Sequence, residues 1–213
     1  MKKGSLIAGI GAAAAALGVY TTTTAITRYW YLNWGATEDE ISEPLPGDEY
    51  MDHTVANHAI TIHAPVDEVW PWLVQVGQDR AGFYSYTWLE NLVGADIHNA
   101  DQIVQEWQEL KVGDKIRLAT KKVYGDFPLL PVVALEKELF IVLEGWGAFV
   151  LKPIDSQNTR MIIRSRAPKE NLAKRVFNFL LLDPIHFVME RKMLHGIKER
   201  AELTYSQKQT AFL

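Results

Sequence analysis

His58-Ala-Ile-Thr-Ile-His-Ala-Pro-Val-Asp-Glu-Val-Trp70 is the stretch on which the fold is read. Its first half alternates, with Ile60 and Ile62 on one face, as a half-buried strand does. Its second half changes period. Pro65 stands where a helix opens, and Asp67 and Glu68 fall in the first turn, where the helix dipole favours carboxylates. Val69, Trp72, Leu73 and Val76 then recur at helical spacing. Pro71 is expected to kink this helix and Gly77 to stop it. Ser85 is expected to cap a second short helix through Trp88, Leu89, Leu92 and Val93, ended by Gly94.

Downstream the period becomes that of strands. Lys115 to Ala119, Val132 to Leu135, Phe140 to Leu143, Ala148 to Leu151 and Arg160 to Ser165 read as an antiparallel meander. Its turns fall at Glu136 to Glu138, Gly145 to Gly147 and Asp155 to Asn158. A helical run from Lys169 to Tyr205 follows, interrupted at Asp183-Pro184, so two helices or one bent helix are expected. The order implies an α+β domain in which a curved antiparallel sheet grips a long C-terminal helix. A ligand cavity is expected between sheet and helix.

Upstream, no charged residue lies between Lys3 and Arg28, a stretch long enough to cross a bilayer as a helix. Residues 1–34 are therefore expected to be a single-pass N-terminal anchor. Lys2 and Lys3 would lie inside and the acidic residues after Thr37 outside, which makes the domain extracytoplasmic. Tyr29, Trp30, Tyr31 and Trp34 would mark the membrane boundary. A cleaved signal peptide, using the small residues Ala12 to Ala16, is the competing reading. Gly11 with Ala15 and Ala14 with Gly18 have helix-pairing spacing, which any Ala/Gly-rich run contains. Residues 35–55, with Pro44, Pro46 and Gly47 among acids, read as a linker, and 56–213 as the domain.

Composition bounds the chemistry. The chain has 213 residues, a net charge of −4 and no Cys. An acidic balance argues against nucleic acid as a partner, and the missing thiols exclude disulfides and Cys-based zinc sites. No cofactor fingerprint occurs, because the chain has no Gly-rich phosphate loop and no nucleophile elbow.

On the last helix Phe187, Leu194, Ile197 and Ala201 form one stripe. Glu190 lies at its centre, with His186 and Met193 at its flanks. A carboxylate on a buried stripe needs a partner. Glu190 either meets a ligand or acid–base chemistry, with His186 one turn away, or forms a structural ion pair with Arg164 or Arg166. On the last strand Arg160, Ile162, Arg164 and Arg166 share one face, and Met161, Ile163 and Ser165 the other. Arg160 and Arg166 are expected to face solvent, with Arg164 the partner of Glu190. Phe83, Tyr84, Tyr86 and Trp88 are expected either to rim the cavity or to pack a helix junction. The ligand-lining set is thus Tyr84, Tyr86, Trp88, Arg164, His186, Glu190 and Met193. Asp96, His98 and Asp101, or His186 with Glu190, have metal-ligand types but no complete ligand spacing, so no metal is expected. The segment Asn171 to Leu182, with Lys174 and Arg175 before Phe177 and Phe179 to Leu182, either dips into a membrane, lids the cavity or packs on the sheet edge.

The opening stretch His58 to Trp70 resembles that of the START-like superfamily, also called SRPBCC or polyketide cyclase/lipid transport. Trp72-Leu-Val-Gln75, Gly82-Phe-Tyr-Ser-Tyr86, Trp88-Leu-Glu-Asn91, Arg164-Ser-Arg166 and Phe187 to Met193 resemble a membrane-associated branch of it. The resemblance spans Trp34 to Ala201 and implies a helix-grip fold. It does not fix activity, since one fold hosts many functions. Three readings follow: a module binding a lipid or other apolar small molecule, an interaction module, or a cyclase- or hydrolase-like enzyme using Glu190 and His186.

Overall fold

The computed structural model describes residues 3–50, 52–126, 129–169 and 171–211, with side chains from residue 11 onward. A long helix, α1 (Lys3–Leu32), leads into a short one, α2 (Glu38–Ser42), before strand β1 (His53–Ile62). Helices α3 (Val66–Val74) and α4 (Thr87–Leu92) follow. Then come β2 (Lys115–Arg117), the short α5 (Lys121–Tyr124), β3 (Leu129–Glu136), β4 (Phe140–Leu143), β5 (Gly147–Pro153) and β6 (Thr159–Ala167). Helix α6 (Leu172–Phe177) passes through a π-helical turn, Asn178–Leu182, into α7 (Asp183–Ala211).

The strands form a six-stranded antiparallel sheet in the order β1-β6-β5-β4-β3-β2. β1 pairs with β6 from His53↔Ala167 to Ile62↔Thr159, so the first and last strands are joined. With α7 laid on one face, this is a helix-grip-like α+β fold. That agrees, at the level of fold, with the resemblance of the opening stretch.

The strand alternation sorts side chains as period two requires. Ile62, Met161, Ile163, Phe149 and Leu151 face α7, whose inward residues are Met193, Leu194, Ile197 and Ala201. Val142, Val150, Ile162 and Ala59 face the other way and pack on Leu45. The segment expected as a linker thus lies on the outer face. α2 is closed by a capping box between Thr37 and Glu40, and Glu40 takes Arg160 through Nε and Nη2 at 2.7 and 2.8 Å. Asp48 takes both Arg164 and Arg166, at 2.8 and 3.1 Å. The arginines do leave the core face, as the alternation requires, but acidic side chains cover them instead of solvent. Met51 of that segment lies outside the described residues.

The transmembrane anchor and the extracytoplasmic placement drawn from it are not upheld. No helix among the described residues is both long and apolar enough to cross a membrane. α1 has the length, at 30 residues, but Ala, Gly and the Thr21–Thr24 run supply little transfer energy. Lys2 and the side chain of Lys3, on which the orientation rested, lie outside the description. Of the four aromatic residues assigned to a membrane boundary, Trp30, Tyr31 and Trp34 touch Phe187, while Tyr29 bonds Glu38, and both Tyr29 and Trp30 keep more than half their surface exposed. Phe187 of α7 stacks on Trp30, Tyr31 and Trp34 with ring centroids 5.5, 5.7 and 6.5 Å away.

One further expectation changes, and one is resolved. Ser85 does not cap α4; its hydroxyl donates to the Met189 carbonyl at 2.9 Å, tying that loop to α7. Of the two alternatives at Asp183-Pro184, the chain takes the continuous one, α6 running through a π-helical turn into α7 at Asp183. Pro184 has no N–H for the Leu180 carbonyl four residues back, and the Tyr20 hydroxyl of α1 donates to that carbonyl instead.

Along the middle of the core no cavity opens between sheet and α7. Met161, Ile163, Leu194 and Ile197 are 0% exposed, and Phe149, Leu151 and Met193 are 1% exposed. A void that admitted even one water would give its walls accessible surface. The space between sheet and helix is therefore solid along these residues.

Candidate functional site

Glu190 is the centre of a polar cluster on the α7 side of the sheet, its own side chain 0% exposed. Its Oε1 lies 2.7 Å from His58 Nδ1. Its Oε2 accepts from the Trp146 indole at 2.9 Å and from the Ser165 hydroxyl at 3.2 Å, and lies 3.1 Å from His186 Nε2.

Each partner arrives for a local reason. His58 shares the inward face of β1 with Ile60 and Ile62. Ser165 follows Met161 and Ile163 on the inward face of β6. Trp146 sits in the tight turn between β4 and β5, beside Gly145 and Gly147, both at positive φ. His186 is one helical turn before Glu190 on α7. Beyond the cluster, His58 Nε2 lies 2.8 Å from the Tyr31 carbonyl at the end of α1.

Burial alone would raise the Glu190 carboxyl; the charges of His186 and His58 and the bonds from His58 and Trp146 outweigh it and hold the pKa at about 2. Burial likewise opposes a charged His58, but Glu190 and the Tyr31 carbonyl prevail, so the ring titrates above the ordinary histidine value. The two groups form a buried hydrogen-bonded pair that is an ion pair whenever His58 is protonated. Such pairs are sustained by full hydrogen bonding rather than by net stabilisation.

Of the ligand-lining residues expected from sequence, the structure brings together His186 and Glu190 alone. Met193 is buried in the core at the next turn of α7. Tyr84 is a core residue whose oxygen accepts from Gln75 at 2.7 Å, and burial pushes its phenol far above the usual range. Tyr86 lines a shallow cleft of about 230 Å³ with Phe187, Val188, Arg191, Lys192, His195 and Glu199 on the outside of α7. Trp88 is 68% exposed on α4. Arg164 does not reach Glu190: it lies on the opposite face, held by Asp48, Asn57 and the carbonyls of Glu40, Ile41 and Glu43. Strand alternation forbids the expected pair, because Arg164 and Ser165 must face opposite ways.

His58, Trp146 and Ser165 were not singled out from the sequence. The signal for His58 was present, since a histidine in phase with Ile60 and Ile62 is an inward-facing polar residue. Among the described residues no group of three His, Asp or Glu is placed to hold a metal ion. Asp96 and His98 pair at the surface, and Asp101 takes Arg200.

No protein-family model matches the sequence, and no curated protein matches it. Among solved structures the chain is similar to a conserved protein of unknown function from Enterococcus faecalis. That likeness has 14% identity and a TM-score of 0.40 and covers 88% of this chain and 99% of the other. It is also similar to a polyketide-cyclase-like protein from Corynebacterium glutamicum. Here identity is 13% and the TM-score 0.32, over 76% of this chain and 96% of the other. At these values neither likeness carries information about what the present chain binds or does.

Proposed function

We propose that this chain is an interaction module: a helix-grip domain that meets a protein partner through its outer surface and encloses no apolar molecule. The filled space between α7 and the sheet carries this reading. A second feature supports it. α1 and the segment from Leu172 to Val188 run side by side, joined by the Tyr20–Leu180 bond and the Arg28–Asp183 ion pair at 2.8 Å. Between them they expose Trp30, Phe177, Leu181, Leu182 and Ile185, each at least 44% accessible. Apolar side chains grouped in this way suit a partner better than water.

The test has two arms. Organic extraction and native mass spectrometry of the purified chain should find no stoichiometric apolar molecule, and added fatty acids or phospholipids should not bind one to one. A bound lipid at unit stoichiometry overturns the reading. Photo-crosslinkers at positions 30 and 181 should give a discrete protein adduct that a crosslinker at Ile154, across the domain, does not. Equal adducts from all three positions speak against a dedicated surface.

One observation favours a second reading, a general-base enzyme. His186 is partly exposed, and its Nε2 is held by a buried carboxylate, the arrangement that leaves Nδ1 free to take a proton. Ser165 is no nucleophile in this scheme, because its hydroxyl donates to the same carboxylate. Turnover of a model ester that His186→Gln abolishes without unfolding would establish it.

A further inference from the structure

His58 joins three parts of the chain. It stands on β1, bonds Glu190 of α7 through Nδ1 at 2.7 Å, and reaches the Tyr31 carbonyl of α1 through Nε2 at 2.8 Å. Its side chain is 1% exposed, so no water substitutes for either partner. Both partners are acceptors. A neutral imidazole has one N–H and one lone pair and satisfies only one of them; the imidazolium satisfies both. The Tyr31 carbonyl belongs to the last turn of α1, where carbonyls lack helical donors and the dipole is negative. A cation there completes the helix end while it neutralises Glu190.

We propose that His58 is a proton-operated latch that holds α1 on the domain when both of its ring nitrogens are protonated and releases α1 when one proton leaves.

The surroundings leave His58 in control of this contact. From α7 it faces Glu190, whose other oxygen holds His186, and the Phe187 ring at 5.6 Å. From α1 it faces Tyr31, whose phenol lies near Arg28 and Asp183 and is pushed up mainly by burial. From β6 comes the Ser165 hydroxyl, which shares Glu190. On the flank, Trp34 lies 5.5 Å from the His195 ring and carries the Arg191 guanidinium 4.9 Å above it. Arg164 is committed to the opposite face.

Nearer its N-terminus α1 is tied separately to the C-terminal helical run, by the Tyr20–Leu180 bond and the Arg28–Asp183 ion pair, so the latch acts on the C-terminal end of α1 and the residues just after it. Tyr31, Leu32 and Ala56 form a satellite core with Phe187, apart from the main one. Asn57 donates to Asn33 at 3.1 Å, and the Ala59 amide donates to the Trp34 carbonyl at 3.0 Å. At that end a small apolar contact plus a few polar ones can be tipped by a single protonation. Lifting α1 would uncover the His58 ring and open one wall of the Glu190 cluster. The latch does not depend on which partner the domain meets.

The experiment is an NMR titration of the full chain from pH 5.5 to 9. It follows the ring nitrogens of His58, the Tyr31–Phe187 contacts and the protection factor of the Ala59 amide, normalised for intrinsic exchange. At pH 6 both ring nitrogens should carry protons. Above the ring's pKa the Ala59 protection factor should fall by up to about tenfold per pH unit while amides of β5 and β6 hold. His58→Gln should abolish the pH dependence. Should that variant not fold, His186→Gln serves as the second measure: it should keep a pH-dependent release of the same amplitude, with its midpoint free to shift because His186 shares Glu190. A single protonated ring nitrogen at pH 6 overturns the latch. So do α1 contacts that persist through the His58 titration, or a response that disappears in His186→Gln.

Discussion

Gly196 of α7 lies against the backbone of Tyr84: a Cβ placed on Gly196 would stand 2.3 Å from the Tyr84 carbonyl oxygen and 2.6 Å from its Cβ. Tyr84 itself is fully buried with φ at 55°, a left-handed conformation seldom used by aromatic residues. The long helix and the loop between α3 and α4 therefore meet backbone to backbone.

Gly196→Ala should destabilise the protein by about 2 kcal/mol, the usual range for forcing an extra methyl into a filled site. The opposing atoms are backbone, which cannot rotate away. Urea denaturation should show a lower midpoint with an unchanged slope. A variant as stable as wild type would mean that α7 slides on the loop.

Glu190→Gln should cost about 3–5 kcal/mol at pH 7, because it removes the carboxylate that pairs with His58 in a site closed to water. The sign with pH follows from the carboxyl's depressed pKa. The Glu190 contribution is complete above about pH 4.5 and is lost as pH falls toward about 2. The stability gap between wild type and variant should narrow over that window when unfolding is measured at pH 7, 4 and 2.5. Trp146→Phe keeps a ring in place but removes one donor to Oε2, and should cost about 1–2 kcal/mol.

Arg164→Lys should release the segment around α2 and Asp48 from the outer sheet face. A lysine cannot reproduce the fork that serves Asp48, Asn57 and three carbonyls together. Limited proteolysis should cut between Gly35 and Met51 faster than in wild type, with a stability loss of about 2 kcal/mol.

Glu90 gives a slope of opposite sign to that of Glu190. Burial pushes its carboxyl up to about 7, and its Oε2 is buried with no hydrogen-bond partner. Between about pH 4.5 and 7 the folded chain keeps a proton that the unfolded chain has lost, so stability falls as pH rises. The group is partly open to solvent, which limits the effect to about 1 kcal/mol. Glu90→Gln should therefore be more stable than wild type at pH 8 and equal to it at pH 5. Denaturation curves at the two pH values check this.

Much of the fold was legible in the chain because the signals are local. The alternation at Ile60 and Ile62 announced β1, and the repeat from Val69 to Val76 announced α3. The strand at Phe140–Leu143 fell where the β-rich run between two turns placed it. Glu190 was legible as a buried carboxylate from its phase with Leu194 and Ile197. Its partners were not. Trp146, Ser165 and His58 lie 44, 25 and 132 residues away in sequence, and only sheet register and the placement of α7 bring them to one point. Arg164 shows the converse. Chemistry suggested it for Glu190, and the alternation that put Ser165 inward sent it to the acidic segment outside.

The sequence by itself determined the order and type of the main elements, though not the short helices α2 and α5, together with the inward phase of β6 and α7 and the presence of an acid on a buried stripe. These depend on residues a few positions apart, whose geometry the backbone period sets. The tertiary structure decided that the core between sheet and α7 closes along Met161, Ile163, Leu194 and Ile197, that α1 meets Phe187 and His58, and that the His58 ring is the partner of Glu190. Those outcomes depend on summed side-chain volumes and on distances between remote segments, which no local period encodes.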